Sequence, residues 1–180
     1  MKNTALLLID VQQGLDDPAL GKRNNPQAEA NIALLLAEWR ANERPIIHIH
    51  HNSVEPNSPL RPEAPGNAFK PEAQPLAGET HFTKSVNSAF IGTNLEQHLQ
   101  TNVISSLVVV GLTTDHCVST TVRMAANLGF GVTLISDATA THERQGPDGT
   151  LYSADEMHTI NLASLHGEFC QVKSTSDILK

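Results

Sequence analysis

Three residues whose types together make a nucleophilic site stand at the ends of separate strand-like segments. Asp10 closes "ALLLID", Lys84 closes "ETHFTK", and Cys117 follows "LVVVGLTTDH". A carboxylate can take the proton of a thiol, an ammonium favours the thiolate, and the thiolate is the form that attacks. Cys117 also opens a helical pattern, where the macrodipole and free backbone N–H groups favour an anion. Each residue has a plainer reading as well: an inert buried thiol, a carboxylate capping a turn, a solvated surface lysine. Taken one by one, the residues leave both readings open. Their shared placement favours chemistry.

That placement depends on the elements around them. Short apolar runs at Ala5, Pro45, Ser106, Gly131 and Glu168 ("EFCQV") read as strands buried on both faces of a parallel sheet. Helical spacing of Ala28, Ile32, Leu35 and Trp39 follows Asn25-Pro26, read as N-cap and N1, and Pro45 lies beyond the helix end. Further helices are expected from about Asp115 to Leu128, stopped by Gly129, and from about Ser153 to His166, stopped by Gly167. Strand and helix in alternation predict a three-layer α/β/α sandwich. In open sheets of this kind ligands bind beyond the carboxyl ends of the strands, where Asp10, Lys84 and Cys117 all fall. Between Asn52 and Glu79 lie six of the ten prolines, which excludes a long helix or central strand and reads as a functional loop.

Composition narrows the classes. The 180 residues, with 39% apolar content, suit one domain spanning 1–180 with a substantial core. A net charge of −7 without a Lys/Arg stripe argues against nucleic acid. No stretch is apolar enough to span a bilayer, and "TALLLID" has the length of a strand and not the make-up of a signal peptide. The expectation is a cytoplasmic protein with no membrane partner. Its two cysteines, Cys117 and Cys170, would stay reduced there, with Cys170 in the core of a strand.

The segments "LLLIDVQQG", "KSVNSAFIGTNLEQHL" and "VVVGLTTDHCVSTTVRMAANLGFGVTLISDA" resemble, in order and over nearly the whole chain, those of the isochorismatase-like cysteine hydrolases. That family includes nicotinamidases, N-carbamoylsarcosine amidase and ureidoacrylate amidohydrolases. The resemblance implies a catalytic triad of Asp10, Lys84 and Cys117. It also implies a six-stranded parallel sheet in the order 3-2-1-4-5-6, a homo-oligomer (dimer or tetramer), and a non-proline cis peptide joining Leu112 to Thr113. In the family that bond sets the Thr113 N–H beside the N–H of Cys117, two donors that form an oxyanion hole.

"HIHH" suggests a metal, since His-x-His on a strand points both rings to one face. Metal-binding nicotinamidases carry an Asp-x-His pair in this region; here Ile46, His48 and Ile49 stand two residues before His48, His50 and His51. No metal and no other cofactor is therefore expected. His142, His158 and His166 have no ligand spacing, and Phe69, Phe82 and Phe90 read equally as pocket contacts or loop anchors. The function expected is hydrolysis of a C–N bond in a small amide or carbamoyl substrate. Alternatives are vinyl-ether hydrolysis of the isochorismatase type, which relatives lacking the cysteine perform, and a catalytically silent binding module on the same fold.

Overall fold

Residues 3–180 are described by the computed structural model. The five apolar runs and "ETHFTK" become β1 (Thr4–Ile9), β2 (Ile46–His51), β3 (Thr80–Lys84, from "ETHFTK"), β4 (Ser106–Leu112), β5 (Gly131–Ala140) and β6 (Gln171–Lys173). All pair in parallel in one six-stranded sheet, in the order β3-β2-β1-β4-β5-β6. The helices are α1 (Ala28–Ala41), α2 (Leu95–Thr101), α3 (Ser119–Asn127), α4 (Ala154–Leu165) and α5 (Thr175–Ile178).

Because side chains alternate along a strand, β1 serves two cores at once. Ala5, Leu7 and Ile9 pack with residues of α2, α3 and α4, whereas Leu6 and Leu8 pack with Ile32, Leu35, Leu36 and Trp39 of α1 and with Ile178 of α5. The result is the expected α/β/α sandwich. Each large side chain so covered contributes about 1.5–3 kcal/mol, which is why a sheet apolar on both faces needs helices on both. No helix among the described residues is long and apolar enough to cross a membrane.

One glycine is required by the path to the site. At Gly111, paired with Ile9, φ is +121°, and a Cβ there would lie 2.1 Å from the Ile9 carbonyl oxygen. A side chain would push apart the two central strands just where they deliver Asp10 and Thr113.

Several boundaries differ from the sequence reading. Asn25 is not the cap of α1: it takes φ 44°, and its amide donates to the Ser136 and Thr139 carbonyls of β5, so the helix starts only at Ala28. A tertiary anchor outcompetes the local cap. The helix expected from Asp115 begins instead as a wide π-type turn over Thr114–Val118, and regular α3 follows from Ser119. Strand β6 starts at Gln171, three residues later than "EFCQV" suggested, although Cys170 is buried as expected. Helix α2, which begins in "NLEQHL", was not anticipated; it is a short two-turn segment anchored by buried Leu95 and Leu99. Ser153 caps α4 in a capping box with Glu156.

The proline-rich segment lies against the stretch that follows β1. Gln13 N–H donates to the Ala68 carbonyl, Lys70 N–H to that of Val11, and the Lys70 ammonium meets Asp16 and Glu29. Although burial raises it, the pKa of Glu29 is brought down to about 2 by Arg23 and Lys70. This charged cluster secures both segments as walls of the crevice at the carboxyl ends of β1 and β2.

Candidate active site

Register brings the reactive groups together. His51 pairs with Lys84 across β2 and β3, and Asp10 follows Ile9, whose neighbour on the other side is Gly111. Asp10 takes a left-handed φ of 49°, which an aspartate tolerates better than most residues, and its N–H donates to the Ile49 carbonyl. The Lys84 side chain is fully buried. Its Nζ donates to Asp10 Oδ2 at 2.6 Å, to His51 Nδ1 at 2.8 Å and to Cys117 Sγ at 3.2 Å. Asp10 Oδ1, also buried, has no hydrogen-bond partner among the described residues.

Cys117 lies within the wide turn that leads from β4 into α3. The Thr113 carbonyl accepts from the N–H groups of His116 and Val118, closing the turn, and the Thr114 hydroxyl meets His158 Nδ1 at 2.8 Å. The peptide between Leu112 and Thr113 is cis. Among the described residues, the Thr113 N–H donates to no acceptor.

The protonation state differs from the expectation of a ready thiolate. Burial first, and the Asp10 carboxylate second, push the Cys117 thiol up to about 12, although Lys84 pulls the other way. A negative charge 2.6 Å from the ammonium leaves little of its field for the sulfur. The resting group is a neutral S–H. Alkylation of Cys117 by iodoacetamide should therefore keep rising, about tenfold per pH unit between roughly pH 7 and 9. A rate already flat at neutral pH would mean a pre-formed thiolate and contradict this.

Asp10, His51, Thr113 and Cys117 open onto a cavity of about 220 Å³ whose apolar wall is Leu15, Leu20, Leu60 and Leu112. Leu60 comes from the proline-rich loop. On the polar side, Arg144 is held by Asp115 through its Nε at 2.8 Å. Burial opposes ionisation of Asp115, but Arg144 and the Thr141 hydroxyl hold its carboxyl below the usual range. His142, also in the lining, is held neutral by burial and by the nearby charges of Arg144 and Arg23. Phe69, Phe82 and Phe90 stay outside the cavity: Phe69 packs on His50, Phe82 on His98 and Phe90 on Phe130.

The three histidines of β2 do not converge. His48 Nε2 meets Glu79 at 2.8 Å and His50 Nε2 meets the Asn67 carbonyl at 2.8 Å, whereas His51 points to Lys84. Potential donor atoms of Asp10, His51 and Cys117 do lie within 4.8 Å of one another. The cation they already meet is the Lys84 ammonium, so the set does not fit a metal ion as well. The sequence predicts pocket walls from the segment after Asp10, the proline-rich 52–79 loop and the 136–149 loop, and Leu15, Leu20, Leu60, His142 and Arg144 come from these three, although none of them was singled out. His51 was missed, and only the strand register, which places it beside Lys84, could have signalled it.

A family model described as the isochorismatase domain matches residues 4–177. The chain is 46% identical over 175 residues, 97% of its length and 94% of the other's, to the uncharacterized isochorismatase family protein YrdC of Bacillus subtilis. A solved isochorismatase-family structure from Chromobacterium violaceum superposes with a TM-score of 0.96 at 52% identity, over 99% of this chain and 93% of that one. Ureidoacrylate amidohydrolase of Agrobacterium fabrum is 31% identical over 59% of this chain and 46% of its own length.

Proposed function

The chain belongs to the isochorismatase family of hydrolases, and on that premise we propose that it cleaves a C–N bond of a small amide or carbamoyl compound through a thioester on Cys117. The observation that carries this reading is the Lys84 ammonium, which donates at once to Asp10 and to Cys117 while the second oxygen of Asp10 has no hydrogen-bond partner among the described residues. Such an oxygen is placed to act as a base toward the thiol.

In this scheme Asp10 Oδ1 takes the S–H proton as sulfur attacks the carbonyl carbon. The N–H groups of Thr113 and Cys117 hold the oxyanion, and Lys84 supplies fixed positive charge. Collapse breaks the C–N bond, and Asp10 returns the proton to the departing nitrogen. Water then adds to the thioester with Asp10 again as base; the C–S bond breaks and the thiol is restored. No step needs a cofactor. The amidohydrolase among the relatives supports the choice of a C–N bond. A cavity of about 220 Å³ is below the roughly 300–1,000 Å³ of pockets for drug-sized ligands, so the substrate is small. Its leucine wall suits an apolar group beside the carbonyl.

Ammonia release across a panel of primary amides and N-carbamoyl compounds, with isochorismate assayed alongside, tests the reading. At least one small amide or carbamoyl compound should be turned over in preference to isochorismate. Turnover of isochorismate alone would replace the reading with vinyl-ether hydrolysis, and turnover of none would favour a binding module.

A further inference from the structure

We infer that His51 is a positioning residue of this site: its Nδ1 is the third acceptor of the Lys84 ammonium, fixing the direction in which that ammonium presents a proton to Cys117. The inference rests on the cysteine-hydrolase reading above. An ammonium carries three N–H donors and no lone pair. Fully buried, Lys84 has among the described residues three polar neighbours, one for each proton: Asp10 Oδ2, His51 Nδ1 and Cys117 Sγ. With two protons held by Asp10 and His51, the third has only the sulfur to face. Without His51 the ammonium would have a buried donor unsatisfied and could turn away from Cys117.

The same contact determines the form of the ring. Since Lys84 cannot accept, His51 Nδ1 must offer its lone pair, so the imidazole is neutral with its proton on Nε2. Burial first, and then the Lys84 charge, hold His51 below the ordinary histidine range, in agreement with this. Nor is the ring's place left to chance. The Gln12 side chain, itself fully buried, donates to the His51 carbonyl and accepts from the His51 N–H, and the Asn67 amide donates to the same carbonyl. Two side chains from separate segments thus clamp the backbone of one residue at the end of β2, which an incidental contact would not require.

The test compares His51→Leu, which removes the acceptor, with His51→Asn, whose Oδ1 can stand where Nδ1 stood. Cys117 alkylation by iodoacetamide, mapped to the peptide, should slow about tenfold in His51→Leu and return to within about threefold of native in His51→Asn. With a working substrate, kcat should follow the same pattern while KM changes by less than about twofold. Native rates in His51→Leu, or His51→Asn no better than His51→Leu, would overturn the inference. If His51→Leu failed to fold, ¹⁵N NMR of the native imidazole would still decide: the neutral Nε2–H tautomer is expected at neutral pH, and the Nδ1–H tautomer or an imidazolium would refute it. Alkylation and NMR need no substrate. Failure of the amide panel would thus count against the hydrolase reading, whereas a native-like His51→Leu enzyme would count against His51 alone.

Discussion

Cys117→Ala is expected to abolish turnover, by at least about 10⁴-fold, because in the proposed mechanism Cys117 alone forms the covalent intermediate and members of such a triad act as a unit. The fold should survive. Exchanging a small, mostly buried thiol for a methyl costs on the order of 1 kcal/mol, and the turn around Cys117 is held by backbone bonds to the Thr113 carbonyl that do not involve the sulfur. With a slow amide or carbamoyl substrate, acid quenching and intact-mass measurement should find the native protein heavier by one acyl group, located on Cys117 by peptide mapping. The alanine variant should show neither adduct nor product. Cys170→Ala is the control: Cys170 lies at the other end of the sheet from the cavity, its thiol raised by burial to about 11, and its loss should leave adduct formation intact. A Cys117→Ala protein that turned over substrate at the native rate would make the cysteine core packing and move the vinyl-ether reading, which needs no nucleophile, to the front.

Asp10→Asn should lower kcat by about 10²- to 10⁴-fold, the range of a general acid–base contribution. The amide oxygen of asparagine can still accept from Lys84, so the hydrogen bond at Asp10 Oδ2 has a replacement. What it cannot replace is the charge. Asparagine has no free carboxylate oxygen to take the thiol proton, and although loss of that charge lets the Cys117 pKa fall, burial, its largest cause, still holds it up. The variant should also melt earlier, since the fully buried Lys84 loses its counter-ion, and breaking a buried pair typically costs about 3–5 kcal/mol. Activity and stability must therefore be read together: kcat is compared well below the variant's own melting temperature. A folded Asp10→Asn enzyme with near-native kcat would remove Asp10 from the proton-transfer role. Adduct accumulation at the native rate would place its role after acylation.

How far the chain was legible differs by residue. Leu6, Leu7, Leu8 and Val108 to Val110 announced their strands because a run apolar on both faces has no other stable home in a domain of this size. Trp39 and its helical companions announced α1 in the same way. The start of α1 did not read correctly, because Asn25 had an ordinary cap's chemistry and the winning partner, β5, lies more than a hundred residues away. Phe69, Phe82 and Phe90 were ambiguous for a related reason: an aromatic ring's neighbours in a loop are set by chain folding and not by its own spacing.

By itself, the sequence determined the sheet, its helical covering and the fact that Asp10, Lys84 and Cys117 come at or just beyond the carboxyl ends of separate strands. Periodicity and β-branched runs are local, so burial in one dimension can be read along the chain. Only the tertiary structure decided which groups meet: His51 beside Lys84 through the β2–β3 register, Leu60 and Arg144 in the walls, His48 and His50 turned to other partners. It also decided that burial and the Asp10 carboxylate push the Cys117 thiol up, which favours its neutral form. Protonation depends on desolvation and on charges a few ångströms away through space, and neither quantity is encoded in the order of residues.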